Sequence, residues 1–272
     1  MQEELRRALE QLVRGSEHPA MGVHVIELPS RRELFSLNAA EPRMMASTAK
    51  LFTLGAVLAG PGFSERCLDA GRRSDNAAAE ELGAQLAQQS RGRGPALIRR
   101  RQGDPAAVIR RYVAQCLPEW SGRSLRREYQ QVDASGMKFA NAASPRVVTG
   151  LLAAAAAAPY AESFRESLAL MGVRGTLSRR GRGTAAEGVV FAKTGTHLTP
   201  RRWPEQPKEE RGTRASALSG YCLGEGGVPA AFSVMMENPA SGDEAQDLQD
   251  RIAAAVAGYV QNLPGSTRPE RQ

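Results

Sequence analysis

The order of segments along this chain predicts an α/β (α+β) protein. Its core is one five-stranded antiparallel sheet drawn from both ends of the sequence, with an all-helical lobe inserted between them. Three observations predict it. A helical pattern and two strand-like runs open the chain, a long helix-like stretch broken by Gly, Pro and Ser clusters fills the middle, and three strand-like runs and a helix close it. The α/β lobe is placed at about 1–40 plus 186–265 and the helical lobe at about 41–185, within a single domain of 272 residues.

Each element has its own signal. In residues 2–14, Leu5, Leu9 and Leu12 share one helical face. The runs 22–28 and 33–37 are separated by Pro29, Ser30 and Arg31, which is turn chemistry, so a hairpin is expected. Residues 49–58 form a buried helix ended by Gly60-Pro61-Gly62, and the alanine-rich stretch 147–158 forms another ended by Pro159. Strands are expected at 189–196, 215–223 and 229–237, and a last helix at 244–260 carries Leu248, Ile252 and Val256 on one side. A flexible tail is expected over 264–272. There is no internal repeat of 20–50 residues.

Composition narrows the classes. An apolar content of 42% supports a sizeable core, and mixed charge at 24% argues against wholesale disorder. No apolar run approaches the roughly 18 residues of a membrane span. The N-terminal residues 1–7 read as an amphipathic helix start without the apolar core of an export signal. Cys67, Cys116 and Cys222 are widely spaced and lack a Cys-x-x-Cys, so free thiols are expected and no metal or other cofactor is implied. Ten arginines against Asp104 and Glu119 make the 91–127 segment strongly basic. That charge suits a solvated helical face, or contact with an anionic cell-wall polymer or membrane surface. No nucleic-acid partner is expected, because helix-turn-helix, zinc-finger and aromatic-basic patterns are missing.

Of the 36 basic residues only four are lysine, and two of these stand in chemically suggestive places. Arginine does not lose its proton in a protein, whereas a desolvated lysine can act as a base near neutrality. Lys50 closes Ser47-Thr48-Ala49-Lys50, a spacing that puts the amine within reach of the hydroxyl on one helical face. A serine on a first helical turn also offers its own N–H to an oxyanion. Lys193-Thr194-Gly195-Thr196 lies late in a predicted strand. There Lys193 supplies a fixed charge, the threonines supply hydroxyls, and Gly195 lets a substrate backbone lie alongside. Between them, Ser74-Asp75-Asn76 presents a hydroxyl and an amide together. Ser-x-x-Lys alone arises about 0.3 times by chance in this composition, but the ordered set of three arises about once in a thousand or less.

That ordered set is the one found in β-lactamases and penicillin-binding proteins. The surroundings narrow it: Arg73-Ser74-Asp75-Asn76 running into Ala79-Glu80-Glu81-Leu82, Asp133-Ala134-Ser135-Gly136-Met137 with Asn141 and Ser144-Pro145-Arg146, Gly172-Val173-Arg174-Gly175-Thr176-Leu177, and Ala217-Leu218-Ser219-Gly220-Tyr221. From about residue 20 to 238 the chain resembles the D-alanyl-D-alanine carboxypeptidase/endopeptidase family of class C low-molecular-mass penicillin-binding proteins. The resemblance implies a β-lactamase/transpeptidase-like fold and a serine hydrolase. Its substrates would be peptidoglycan stem peptides, its inhibitors β-lactams, and its location periplasmic or otherwise extracytoplasmic.

Carried over, Ser47 would be the acylated nucleophile and Lys50 its base. Ser74 would pass a proton to the leaving amine with Lys193 in support, Asn76 would hold the substrate amide, and Thr194 and Thr196 its terminal carboxylate. Backbone N–H groups of Ser47 and Thr196 would form the oxyanion hole. The chain departs from the family in three places. Only 23 residues separate Lys50 from Ser74, where large accessory domains are usual; Ala134 replaces a glycine; and 199–214 is a Pro-, Arg- and Glu-rich insertion containing Trp203. The alternatives are a β-lactamase or other serine hydrolase of this fold, and a non-catalytic scaffold or binding protein. No Glu-x-x-Leu-Asn segment supplies a deacylating carboxylate, which points away from fast β-lactam turnover.

Overall fold

A computed structural model describes residues 1–16, 20–90, 103–120, 122–198, 213–223 and 229–262. Most of the 199–214 insertion, with Trp203 and Lys208, lies outside the described residues. So do the 264–272 tail, His18 and the five arginines between 91 and 101.

Helix α1 (Gln2–Arg14) leads into the hairpin of β1 (Met21–Glu27) and β2 (Glu33–Leu37). A short strand β3 (Arg43–Met44) and a 3-10 turn (Ala46–Thr48) precede α2 (Ala49–Ala59), α3 (Glu65–Arg72) and α4 (Asn76–Ser90). Next come α5 (Pro105–Cys116), α6 (Gly122–Glu128), β4 (Tyr129–Gln130), β5 (Ala142–Ala143), α7 (Pro145–Ala156), α8 (Ala161–Glu166) and β6 (Ala169–Leu170). The chain then runs through β7 (Val190–Leu198), β8 (Thr213–Cys222), β9 (Ala230–Glu237) and α9 (Gly242–Gln261).

Helix starts follow local chemistry. Asp104, Ser144 and Ser241 each accept from a backbone N–H of the first turn, and Pro105 and Pro145 sit where a missing N–H costs nothing. The main sheet runs β2-β1-β9-β8-β7-β6 with every pair antiparallel. The five long strands are the expected ones, within one or two residues at most ends.

Two details differ from expectation. A two-residue sixth strand, β6, extends the sheet edge, and β3, β5 and β4 form a small second sheet inside the nominally helical region. Strands this short carry no period-two pattern, so only the fold reveals them.

Alternation along the strands feeds two cores. From β8 and β9, Ala217, Tyr221, Ala231 and Met235 meet α2 and α7 on one face. Leu218, Cys222, Phe232 and Val234 meet α1 and α9 on the other. Every residue of α2 from Ala49 to Leu58 is buried, as expected of a helix apolar on all sides at the centre of a domain. Lys50 is the one charged group on it, and the helix thereby carries an amine into a water-poor setting.

Candidate active site

The 3-10 turn that presents Ser47 is packed from two directions by glycines. A Cβ added at Gly195 would lie 2.6 Å from the Met45 carbonyl oxygen, and one at Gly136 would lie 1.9 Å from that of Ala46. Gly195 is therefore required for the chain's own close packing, a reason different from the one expected. Ala46, just before the serine, has φ +46°, and Ser74 has φ +61°. Neither is a glycine, so two left-handed backbone sites flank the chemistry, where such outliers cluster.

Five of the expected side chains converge. Lys50 Nζ donates to Ser47 Oγ at 3.0 Å, to Asn76 Oδ1 at 2.7 Å and to the Ser135 carbonyl at 2.7 Å. Lys193 Nζ donates to Ser74 Oγ at 2.7 Å and to the Thr194 carbonyl at 2.8 Å. Both lysines are fully buried. Burial pulls the Lys50 amine down to about 8, opposed by the negative charges of Asp133, Glu80 and Asp75. Burial, followed by repulsion from Lys50, holds Lys193 well below the usual lysine range. Both effects disfavour the charged form, which runs against the fixed charge expected of Lys193.

Strand β7 is open along one side. Its partner β6 pairs only with Phe191 and Ala192, so among the described residues no strand covers that edge from Lys193 onward. Thr194 Oγ1 donates to Thr176 Oγ1 at 3.0 Å, and Thr196 is exposed. Next to it His197 stacks edge-on against Phe139 at 4.8 Å, and burial lowers its pKa. His24 lies elsewhere, bonded to Thr149 and Glu33. All three cysteines are free, and no group of three or more His, Cys, Asp or Glu among the described residues could hold a metal ion.

The loop 133–141, named in the sequence only as part of the family resemblance and given no role there, closes the site. Gly136 N and Lys138 N both donate to the Asp133 carboxylate, at 2.6 and 2.8 Å, and Asn141 Nδ2 joins them at 3.1 Å. Thr53 Oγ1 donates to the Ala134 carbonyl at 2.7 Å, and Ser135 N donates to Glu80 Oε1 at 3.0 Å. The helical spacing from Asn76 to Glu80 was the available signal, since four residues along a helix share a face.

An amine held against a hydroxyl in a dry pocket can take its proton, and a second amine–hydroxyl pair beside it can return one. The chain superimposes on the TLA-3 extended-spectrum β-lactamase with a TM-score of 0.68 at 16% identity, over 95% of this chain and 99% of that one. For a β-lactamase from Streptosporangium roseum the TM-score is 0.61 at 16% identity, over 96% and 100%. For penicillin-binding protein 4 from Haemophilus influenzae, solved with a β-lactam, it is 0.50 at 21% identity, over 69% and 39%.

These likenesses define the β-lactamase and penicillin-binding-protein fold. The family is set by sequence: the chain belongs to the D-Ala-D-Ala carboxypeptidase 3 (S13) family, whose model matches residues 63–259. That span holds Ser74, Asn76 and Lys193–Thr196 but starts after Lys50, so Ser47 and Lys50 join the site through geometry. A D-alanyl-D-alanine carboxypeptidase of Actinomadura sp. (strain R39) is 40% identical over 133 residues, which is 47% of this chain and 22% of that protein.

Proposed function

We propose that this chain is a serine-type D-Ala-D-Ala carboxypeptidase acting on peptidoglycan stem peptides. One observation carries the reading: buried Lys50 lies 3.0 Å from Ser47 Oγ while buried Lys193 lies 2.7 Å from Ser74 Oγ. The first pair suits attack and the second suits departure. Neutral Lys50 takes the Ser47 proton as Oγ adds to the penultimate D-Ala carbonyl, and the N–H groups of Ser47 and Thr196 hold the oxyanion. Ser74 gives its proton to the leaving D-Ala nitrogen, the C–N bond breaks, and the proton that Lys50 took from Ser47 passes through Lys193 to Ser74, which leaves Lys50 neutral again. Water then attacks the acyl-enzyme with Lys50 as base, releasing the shortened peptide and free Ser47.

Asn76 orients the substrate amide, and Thr194 and Thr196 receive the terminal carboxylate on the open edge of β7. A β-lactam offers the same acyl centre with a leaving group that stays attached, so it acylates Ser47 and persists. Such an enzyme works outside the cytoplasmic membrane, where its polymer lies.

The test is release of D-alanine from a diacylated peptide ending in D-Ala-D-Ala. Wild type releases it and Ser47→Ala does not. Equal release by the two proteins refutes the reading.

A further inference from the structure

Glu80 has no part in the steps above, yet its exposed side chain points into the site's supporting loop. Two successive peptide groups of that loop are held at both ends. Ala134–Ser135 is gripped by the Thr53 hydroxyl on its carbonyl and by Glu80 Oε1 on its N–H. Ser135–Gly136 is gripped by Lys50 Nζ on its carbonyl and by Asp133 on its N–H. Helix α4 therefore reaches Lys50 twice, one turn apart: directly through Asn76, and through the Ser135 backbone from Glu80.

We propose that Glu80 is a positioning residue for Lys50, holding Ser135 N–H and with it the loop whose Ser135 carbonyl accepts from the amine, and placing a negative charge beside that amine. The proposal rests on the acyl-enzyme reading only for its kinetic part. The groups facing Lys50 are Asp133 from the loop, Asp75, Asn76 and Glu80 from the start of α4, and Lys193 from β7, with His197 feeling its charge from the strand end. Among the carboxylates, Asp133 caps three groups of its own loop and Asp75 accepts from Ala78 N at the start of α4. Asp133 holds the peptide group whose carbonyl accepts from Lys50, and Glu80 holds the one before it from outside the loop, through Ser135 N.

The sign of the effect separates this role from a merely structural one. Removing a negative charge disfavours the ammonium form, so Lys50 loses its proton at lower pH and is available as a base sooner. With four lysines in the chain, selective labelling at the lysine Cε carbon lets the Lys50 resonance be followed against pH, assigned with Lys138→Arg and Lys208→Arg variants. Acylation by a labelled penicillin is measured on the same samples.

Glu80→Gln keeps an acceptor for Ser135 N and loses the charge. The Lys50 midpoint and the rising limb of the acylation profile move together to lower pH, and the plateau rate stays within about threefold of wild type. Glu80→Ala shows the same shift with a plateau about tenfold lower. An unchanged Lys50 midpoint in both variants overturns the proposal, as does full plateau activity in Glu80→Ala. A shifted midpoint in a protein that penicillin never acylates keeps Glu80's role and instead refutes the acyl-enzyme reading.

Discussion

Lys50 and Lys193 are both fully buried, both bonded to a serine hydroxyl, and opposite in their electrostatic surroundings. Lys50 has Asp133, Glu80 and Asp75 within electrostatic reach, and its amine settles at about 8. Lys193 has neutral partners, the Ser74 hydroxyl and the Thr194 carbonyl, and among the described residues the charge that perturbs it is Lys50 itself. Burial alone drives an amine to neutrality; burial opposed by carboxylates leaves it able to switch. The difference suits the proposed roles: the base for Ser47 on the acidic side of the site, and the relay through Ser74 on the neutral side.

The comparison breaks most sharply at Lys50. Lys50→Arg keeps a cation and loses the base, so Ser47 acylation falls by about 10³ or more, with unfolding measured alongside to confirm the fold. Wild-type-like acylation in that variant would remove Lys50 from the chemistry. The neutral side comes next. Lys193→Met lowers acylation about a hundredfold through loss of the Ser74 contact. Because burial and Lys50 lower the Lys193 amine in the folded state, the unfolded chain binds a proton there more readily, so wild-type stability rises with pH toward the ordinary lysine range, a dependence the variant lacks. Its midpoint of thermal unfolding relative to wild type is therefore highest near pH 7 and falls toward pH 10. A constant gap contradicts the neutral assignment.

Gly136→Ala attacks the acidic side sterically. Its Cβ meets the Ala46 carbonyl at 1.9 Å with φ at +82°, which costs about 2–4 kcal/mol and displaces the Ser135 carbonyl from Lys50. Denaturant unfolding with acylation kinetics checks both parts. The smallest effect belongs to Thr176→Val, which removes the partner of Thr194 Oγ1 and raises KM for the D-Ala-D-Ala peptide about threefold at unchanged kcat.

Much of this was legible in the residues. Motif order put Ser47, Lys50, Ser74, Asn76 and Lys193 in one site, and the structure brings those five together. The five long strands followed from β-branched runs between turns. Other features needed the fold. Ala46 and Ser74 carry positive φ without being Gly or Asn, so composition offers no sign of the bend that presents Ser47. The contact between Glu80 and Ser135 spans 55 residues and forms only when α4 packs beside the loop. Gly195 was read as room for a substrate backbone, and the fold adds a second reason for it, the close approach of the Met45–Thr48 turn. The charge state of Lys193 depends on burial and on a second lysine 143 positions away, and neither is written in the local sequence.

The most direct test of the central claim is the pH dependence of Ser47 acylation by a labelled penicillin, with the adduct located by peptide mass. Attack requires neutral Lys50, so the rate rises with pH through a midpoint of about 8 and the label sits on Ser47. A midpoint in the ordinary lysine range, a flat profile, or label on another residue contradicts the account.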